Sequence, residues 1–287
     1  MDIVSQAAKA HAFRKLHDRS NLLLLPNAWD AGSAALFARH GFAAIATTSA
    51  GMAWSLGYPD GQHAPLCEVL AATARITRVT DLPVTVDMES GYGETPAEVA
   101  ATVRGAIAAG AVGINLEDSL PGHGPLRAID ASAARISAAR AAAADVGVPI
   151  VINARVDVWM QPDLSDPAAG LDEAIRRAQA YLAAGADGIF PIGLVDRDVL
   201  ATLVQSIDAP INVAAISGVP SLQELARIGV ARVSTATRFA TLALAAIDQA
   251  AARLLLDRNF DGLVSGFTYG DAQRLFAGES ESAQTST

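Results

Sequence analysis

What most restricts the fold of this chain is the way its strand-like runs begin. Short apolar or β-branched runs start near Leu22, Ala43, Val84, Val112, Ile150, Gly188, Ile211 and Arg232, and helical sequence follows each. The approaches alternate. His40-Gly41-Phe42, Ala109-Gly110-Ala111, Ala184-Gly185-Ala186 and Ile228-Gly229-Val230 precede the even runs, where glycine supplies the left-handed residue that stops a helix. Leu82-Pro83, Val148-Pro149 and Ala209-Pro210 precede the later odd ones, where proline holds the residue before it extended. Eight strand-helix units with no linker between them predict an α/β fold, a single (β/α)₈ TIM barrel over 1–276 led by a helix at about Ser5 to Asp18. An open doubly wound sheet is the alternative. Thr268 to Phe276 reads as a last helix packing on a partner subunit, and 277–287 as a disordered polar tail.

A hydrophobic content of 51% supplies the core such a barrel needs. The net charge of −9, with no basic stripe, argues against nucleic acid. The single cysteine, Cys67, allows no internal disulfide and fits a reducing compartment. Residues 1–20 carry charges throughout, and apolar runs elsewhere are interrupted well before the roughly 18 residues of a membrane span. The expectation is a soluble cytoplasmic protein. Lys9 and Lys15 are the only lysines and precede the first strand, so Schiff-base and pyridoxal chemistry, which need a lysine in the site, are excluded. Cys67 sits at the start of a helix with no histidine signature and is not expected to be a nucleophile. Gly91-Tyr92-Gly93 lacks the third glycine and the setting of a dinucleotide fingerprint, and no phosphate-binding G-x-x-x-x-G-K occurs.

In a barrel the chemistry sits where strands end and βα loops begin. The third strand ends in Asp87 and Glu89, the fourth in Glu117 and Asp118. Acids there often cap the next helix. Here Thr95-Pro96-Ala97-Glu98 is already a capping box, and Asp130 is the natural cap of a helix from Ala131 to Val146. The four carboxylates are left without a structural role, and they repel unless a cation or shared protons intervene. Oxygen-only ligands suit a hard ion, Mg²⁺ first. Asn27, Asp30, Thr47, Thr48, Ser49, Asn153, Arg155, Asp157, Asn212 and Ser234 end other strands. Arg155 suits either a substrate carboxylate held bidentately or an ion pair with Asp157 or an acid of the fourth strand. Thr48-Ser49-Ala50-Gly51-Met52 offers backbone N–H groups to an anionic oxygen, or is simply a close turn. Gly57-Tyr58-Pro59-Asp60-Gly61 is a turn sequence. The segment Ser119 to Arg127 is rich in glycine and proline and reads as a lid, in which His123 is either an acid/base group or a solvated histidine.

Taken together, Pro26-Asn27-Ala28-Trp29-Asp30, Thr48-Ser49-Ala50-Gly51, Gly57-Tyr58-Pro59-Asp60-Gly61, Asp87-Met88-Glu89-Ser90-Gly91-Tyr92-Gly93, Glu117-Asp118 and Asn153-Ala154-Arg155-Val156-Asp157 resemble the isocitrate lyase / phosphoenolpyruvate mutase family, in order, from about Leu22 to Phe276. The resemblance implies a barrel, a tetramer built from dimers that swap their last helix, and a site binding Mg²⁺ (Mn²⁺ as a substitute) with a 2-oxo acid or its enolate. It puts Asp87 on the metal, with Glu89, Glu117 and Asp60 reaching it through waters. It puts substrate on Arg155, on Ser49, Ala50 and Gly51 with an inserted alanine in that motif, and on Trp29 and Asp60. Arg155, Glu117 and His123 are the catalytic candidates. The family's lyases carry a Lys-Lys-Cys-Gly-His type segment in the fourth loop and its mutases a lysine and an asparagine. This chain has no Cys, Lys or Asn between Ser119 and Arg127. The implied activity is therefore Mg²⁺-dependent C–C cleavage next to a 2-oxo acid, with oxaloacetate-like decarboxylation favoured. C–P chemistry on phosphonopyruvate and a barrel that binds 2-oxo acids without turnover are the alternatives.

Overall fold

The computed structural model describes residues 2–122, 124–164 and 166–277. The chain runs α1 (Ile3–Lys15), β1 (Leu23–Leu25), β2 (Asn27–Ala28), α2 (Ala31–Arg39), β3 (Ile45–Thr47), α3 (Ser49–Leu56), α4 (Leu66–Arg78), β4 (Val84–Asp87), α5 (Pro96–Ala108), β5 (Gly113–Glu117) and α6 (Ile129–Val146). It continues through β6 (Val151–Val156), α7 (Leu171–Ala183), β7 (Gly188–Pro191), α8 (Arg197–Ser206), β8 (Asn212–Ala214), α9 (Leu222–Ile228), β9 (Arg232–Ser234), α10 (Arg238–Asp257) and α11 (Tyr269–Ala277). The strand starts fall within two residues of those read from the sequence. Gly41, Gly110, Gly185 and Gly229 all take the positive φ that their position demanded.

All strand pairs are parallel, and they close a ring. The first stave is split at Pro26. Its lower half, β1, pairs with β9, and its upper half, β2, pairs with β3. On the far side β7 meets β8 through the single parallel bridge Ile189–Ile211. The result is a (β/α)₈ barrel, as its sequence pattern predicted.

The centre of this barrel is polar. Arg232 Nη2 on β9 reaches across to Asn115 Oδ1 on β5 at 3.3 Å, and Asn153 Nδ2 donates to the same oxygen at 2.9 Å. Asn212 Nδ2 donates to Ser234 Oγ at 3.3 Å. Barrels of this kind usually fill their interior with branched aliphatic residues. Here those residues, such as Val84, Val86, Ile114, Ile152 and Val233, alternate with the polar ones and are buried. The apolar core therefore lies between strands and helices. From below, α1 closes the ring, with its fully buried Phe13 beside Gly113 and Thr85. Gln6 ties the helix down by donating to Ile107 O and Ala111 O at 2.8 and 2.9 Å.

Two local expectations change. Helix α1 starts earlier, at Ile3, because Asp2 accepts from Ser5 N–H at 2.9 Å and caps it. Asp130 is not a cap, since α6 begins one residue before it, with Ala128 at the cap position, and Asp130 lies in the first turn. The capping box at Thr95 and Glu98 forms as read. At the C-terminus α11 lies against α2 of its own chain, with Arg39 over the Phe267 ring at 5.4 Å. Helix α10 leaves Leu242, Leu244, Ile247, Leu255 and Leu256 exposed. By length and composition it would pass for a membrane span, with Asp248 and Arg253 interrupting its apolar run and 6% of it buried. The expected tail, 277–287, lies outside the described residues apart from Ala277.

A Cβ on Gly113 would sit 2.7 Å from Thr85 Oγ1 and 2.9 Å from Phe13 Cε1. Gly113→Val is expected to destabilise the barrel by about 1–3 kcal/mol through overpacking against α1. Urea unfolding midpoints of the two proteins measure this directly.

Candidate active site

The mouth of the barrel is shaped by hydrogen bonds between neighbouring strand ends. Asn27 donates through Nδ2 to Thr47 O at 2.7 Å and accepts at Oδ1 from Ala236 N at 3.0 Å, binding the first, second and eighth staves together. Thr47 Oγ1 accepts from Asp87 N at 3.0 Å. Thr48 then caps α3, and its Oγ1 takes the Gly51 N–H at 3.4 Å. Among the described residues the Ser49 and Ala50 N–H groups have no acceptor, so two donors of a helix N-terminus are left facing a cavity.

That cavity, of about 140 Å³, is lined by Ser49, Ala50, Asp60, Asp87 and Arg155, and by the apolar Met160, Phe190 and Ile192. Asn27, Asn115 and Ser234 also contribute. Trp29 does not line it. Its Cβ backs onto Gly51, where an added Cβ would sit at 2.9 Å, so it supports the α3 turn from behind. Gly51 is likewise outside the lining, and its N–H is spent on the cap.

Arg155 forms the ion pairs that one of its two sequence readings expected. Its Nη1 lies 2.7 Å from Glu117 Oε2, while Nε and Nη2 donate to Asp157 at 2.7 and 2.9 Å. It nonetheless borders the cavity. Asp157 is fully buried and also accepts from Ser119 Oγ at 2.7 Å. Glu117 takes Ser90 Oγ at 3.1 Å on its other oxygen. Glu89 accepts from Tyr92 Oη at 2.5 Å and from Gln62 N at 2.6 Å, and the Gln62 side chain returns the bond by accepting from Tyr92 N at 2.6 Å. Glu89, Tyr92 and Gln62 all hold positive φ. This costly backbone is clamped by Arg135 of α6, which donates to the carbonyls of Ser90, Gly93 and Glu94.

Asp118 departs from the expectation that the four strand-end acids lack a structural role. Adjacent strand residues face opposite ways, so Glu117 turns inward and Asp118 outward toward α7. There it accepts from Tyr181 Oη at 2.7 Å, Arg177 Nη1 at 3.0 Å and Asp157 N at 2.9 Å. Cys67 is exposed and does not line the cavity. His123 lies outside the described residues. Around it, Ser119 and Leu126 form an antiparallel bridge, and the Gly122 Cα sits where a Cβ on Gly61 would be only 2.8 Å away.

The remaining acids sense one another. Asp87 keeps some surface open to the cavity, yet burial on its other sides pushes its carboxyl up, Arg155 opposes this, and Asp60 adds to it. Glu89 is pushed up to about 7, by burial first, with the Tyr92 hydrogen bond opposing and Asp87 and Asp60 reinforcing. Glu117 is also raised, by burial above all and then by Asp157, Asp87 and Glu89, with Arg155 pulling the other way. Among the described residues no three His, Cys, Asp or Glu side chains form a ready metal cage. The donor chemistry does fit a hard dication that keeps part of its water shell, since oxygen donors set apart are reached through those waters. Asp87, Asp60, Glu89 and Glu117 are the residues that would hold it.

The phosphoenolpyruvate phosphomutase family description matches residues 13–255. The chain belongs to the isocitrate lyase / phosphoenolpyruvate mutase family. It is 36% identical to the 2-methylisocitrate lyase of Escherichia coli K12 over 206 residues, 70% of this chain and 67% of that one. An oxaloacetate acetylhydrolase solved with its product oxalate superposes with a TM-score of 0.83 at 26% identity, covering 94% of both chains. A phosphonopyruvate hydrolase solved with oxalate and Mg²⁺ does so at 0.80 and 25% identity, covering 93% of this chain and 94% of that one. This is a family of enzymes, lyases and hydrolases among them.

Several residues at the site carried no signal in the chain. Arg135, Arg177 and Gln62 act through partners 27 to 59 positions away. Asn115 was also not named, although it precedes Glu117 by two on the same strand and so shares its face, a signal that could have found it.

Two outcomes follow from these charges. Glu89 has a native pKa of about 7 against an ordinary 4.5, so its stabilising contribution is complete below about 4.5 and lost as pH rises through 7. His17, buried and lowered to about 4, has the opposite sign, and its contribution is complete above about 6.5. Between about pH 4.5 and 7 the Tm of metal-free Glu89→Gln should therefore gain several degrees relative to the metal-free wild type, a drift that Mg²⁺ reduces, and comparing the two proteins cancels the His17 contribution they share. For Asp118→Asn, calorimetry should show a loss of about 1.5–3 kcal/mol, because Arg177 and Tyr181 lose a charged acceptor while Arg177 keeps its pair with Glu173 at 2.8 Å. Ligand binding in the surviving folded fraction should be retained.

Proposed function

We propose that this protein is a Mg²⁺-dependent lyase that breaks a C–C bond next to a 2-oxo acid and leaves an enolate, with decarboxylation of an oxaloacetate-like acid favoured. The observation that carries the reading is a single small cavity bordered by Asp60 and Asp87, by Arg155, and by the unpaired Ser49 and Ala50 N–H groups. Relatives whose names or bound ligands are oxaloacetate, oxalate and Mg²⁺ support it.

Asp87 would hold Mg²⁺, or Mn²⁺ in its place, with Asp60, Glu89 and Glu117 reaching the ion through its waters. When bound, the dication supplies charge stabilisation to substrate oxygens beside it. The chain's own residues do the rest. Arg155 orients the substrate carboxylate, releasing part of its hold on Glu117 and Asp157 to do so. As the bond to C3 breaks, negative charge gathers on the C2 oxygen, and the Ser49 and Ala50 N–H groups at the positive end of α3 receive it. Trp29 and Gly51 keep that turn in place. Glu117, which retains a proton further up the pH scale than an ordinary glutamate, is the acid/base group together with His123. Leu255 and Leu256 of α10 and Phe276 of α11 remain exposed on the single chain. Such a surface suits burial in a dimer of dimers that exchange their last helix, in a soluble cytoplasmic enzyme.

Thermal unfolding with Mg²⁺ and oxalate together, against each alone, tests the site. At about a hundred times its dissociation constant a ligand adds roughly 2.7 kcal/mol to the native state. Synergistic stabilisation of the wild type that Asp87→Ala abolishes is the expected result. No shift in the wild type would remove the lyase reading altogether.

A further inference from the structure

The apolar side of the cavity gives information about the fragment that leaves. Its wall consists of Met160, Phe190 and Ile192. The wall is built firmly. A Cβ on Gly193 would lie 3.1 Å from Trp159 O and 3.3 Å from Met160 Sδ, and one on Gly170 would lie 2.8 Å from Val158 Cγ1. Trp159 Nε1 is anchored on Pro167 O at 2.9 Å, and Ile192 N–H folds back onto Phe190 O at 2.9 Å. Phe190 itself is buried.

Beside the wall, with Phe190 as its register partner on the adjacent strand, Arg155 is the one cation lining the cavity among the described residues, and it is already shared between Glu117 and Asp157. Arg238, next to the lining residue Thr237, is exposed and spends its Nε on Ala215 O at 2.5 Å. One substrate carboxylate therefore finds a guanidinium. A second would find a thioether, hydrocarbon, the acids of the site and only neutral polar groups such as Asn115, Ser234 and Thr237. An ionised group placed so, without a cation to pair with, is disfavoured.

The geometry points to a substrate that keeps a single carboxylate: Met160, Phe190 and Ile192 select 2-oxo acids whose C3 group departs uncharged, as carbon dioxide or as an apolar aldehyde or ketone. This rests on the 2-oxo-acid reading above. In the decarboxylation the C3–C4 bond breaks, its electron pair becomes the C2–C3 double bond, and the carbonyl pair moves to the C2 oxygen. Carbon dioxide leaves, and a proton from water then adds at C3, with no net oxidation or reduction. A carboxylate against this wall loses its charge in that step, so the wall disfavours the bound state more than the transition state. A phosphonate or a second 2-oxo acid as leaving fragment would keep its charge and gain nothing from the wall.

Calorimetric titration of the full chain in Mg²⁺ with oxalate, 2-oxobutyrate and 2-oxoglutarate tests this. Oxalate presents the head group alone. If it fails to bind, the 2-oxo-acid reading fails, and this inference falls with it. With oxalate bound, 2-oxobutyrate should bind roughly ten- to a hundredfold more tightly than 2-oxoglutarate, the discrimination expected for one unpaired charge. Ile192→Lys should narrow or invert that preference, and Ile192→Leu should preserve it. Met160→Lys, at a position 40% exposed, makes the same test on a more tolerant site if Ile192→Lys does not fold. Equal binding of the two acids by the wild type, or a preference unmoved by both lysine variants, overturns the proposal.

Discussion

Carboxylates crowd one mouth of this barrel, and the guanidinium of Arg155 is what lets them stay. It grips Glu117 on one side and Asp157 on the other. Asp157 in turn offers its backbone N–H to Asp118, which Tyr181 and Arg177 fasten to α7. A line of linked charges thus runs from the cavity to the outer helical layer, its two neighbouring carboxylates joined through the Asp157 N–H and each held by an arginine. Buried ion pairs contribute little net stability, because desolvation offsets their attraction, but removing one partner leaves a buried charge uncompensated. The line is better understood as positioning: it sets where the Arg155 fork points, and so where a substrate carboxylate can lie.

The polar interior is the counterpart of that mouth. With Asn115, Asn153, Asn212 and Arg232 in the middle of the ring, the usual aliphatic filling is missing, and stability rests on the strand–helix layer and on Phe13 of α1 below. A barrel organised this way carries polar groups from its centre up to its catalytic end. Arg232, fully buried, is the deepest cation in this column and adds a favourable field at Asp87.

Much of this was legible in the chain. Glycine and proline at the strand approaches announced the staves, because each imposes a backbone conformation that no distant contact overrides. Asp87, Glu89, Glu117 and Arg155 were singled out for the same reason, as polar residues standing where a buried strand ends, whereas Asp60 came in only through the family resemblance. Asp130 was misread because a good capping residue competes with where the chain can turn, and α6 starts over Ala128 instead. Asp118 was misassigned by grouping it with Glu117 when strand alternation places them on opposite faces. The apolar wall was missed because Ile192 and Met160 look like ordinary core residues until the loops that carry them converge. The split of the first stave at Pro26 was not foreseen either, since it reflects which neighbour each half meets in space.

The contact between Gly61 and Gly122 reaches beyond chemistry. The backbones of the second and fourth loops touch where neither residue has a side chain, and Gly61 in addition holds a positive φ. Two surface loops on separate strands are thereby made into one inherited unit. In this chain a change of length or residue in either would have to be answered in the other, so the fourth loop is not free to be remodelled without the Asp60 turn.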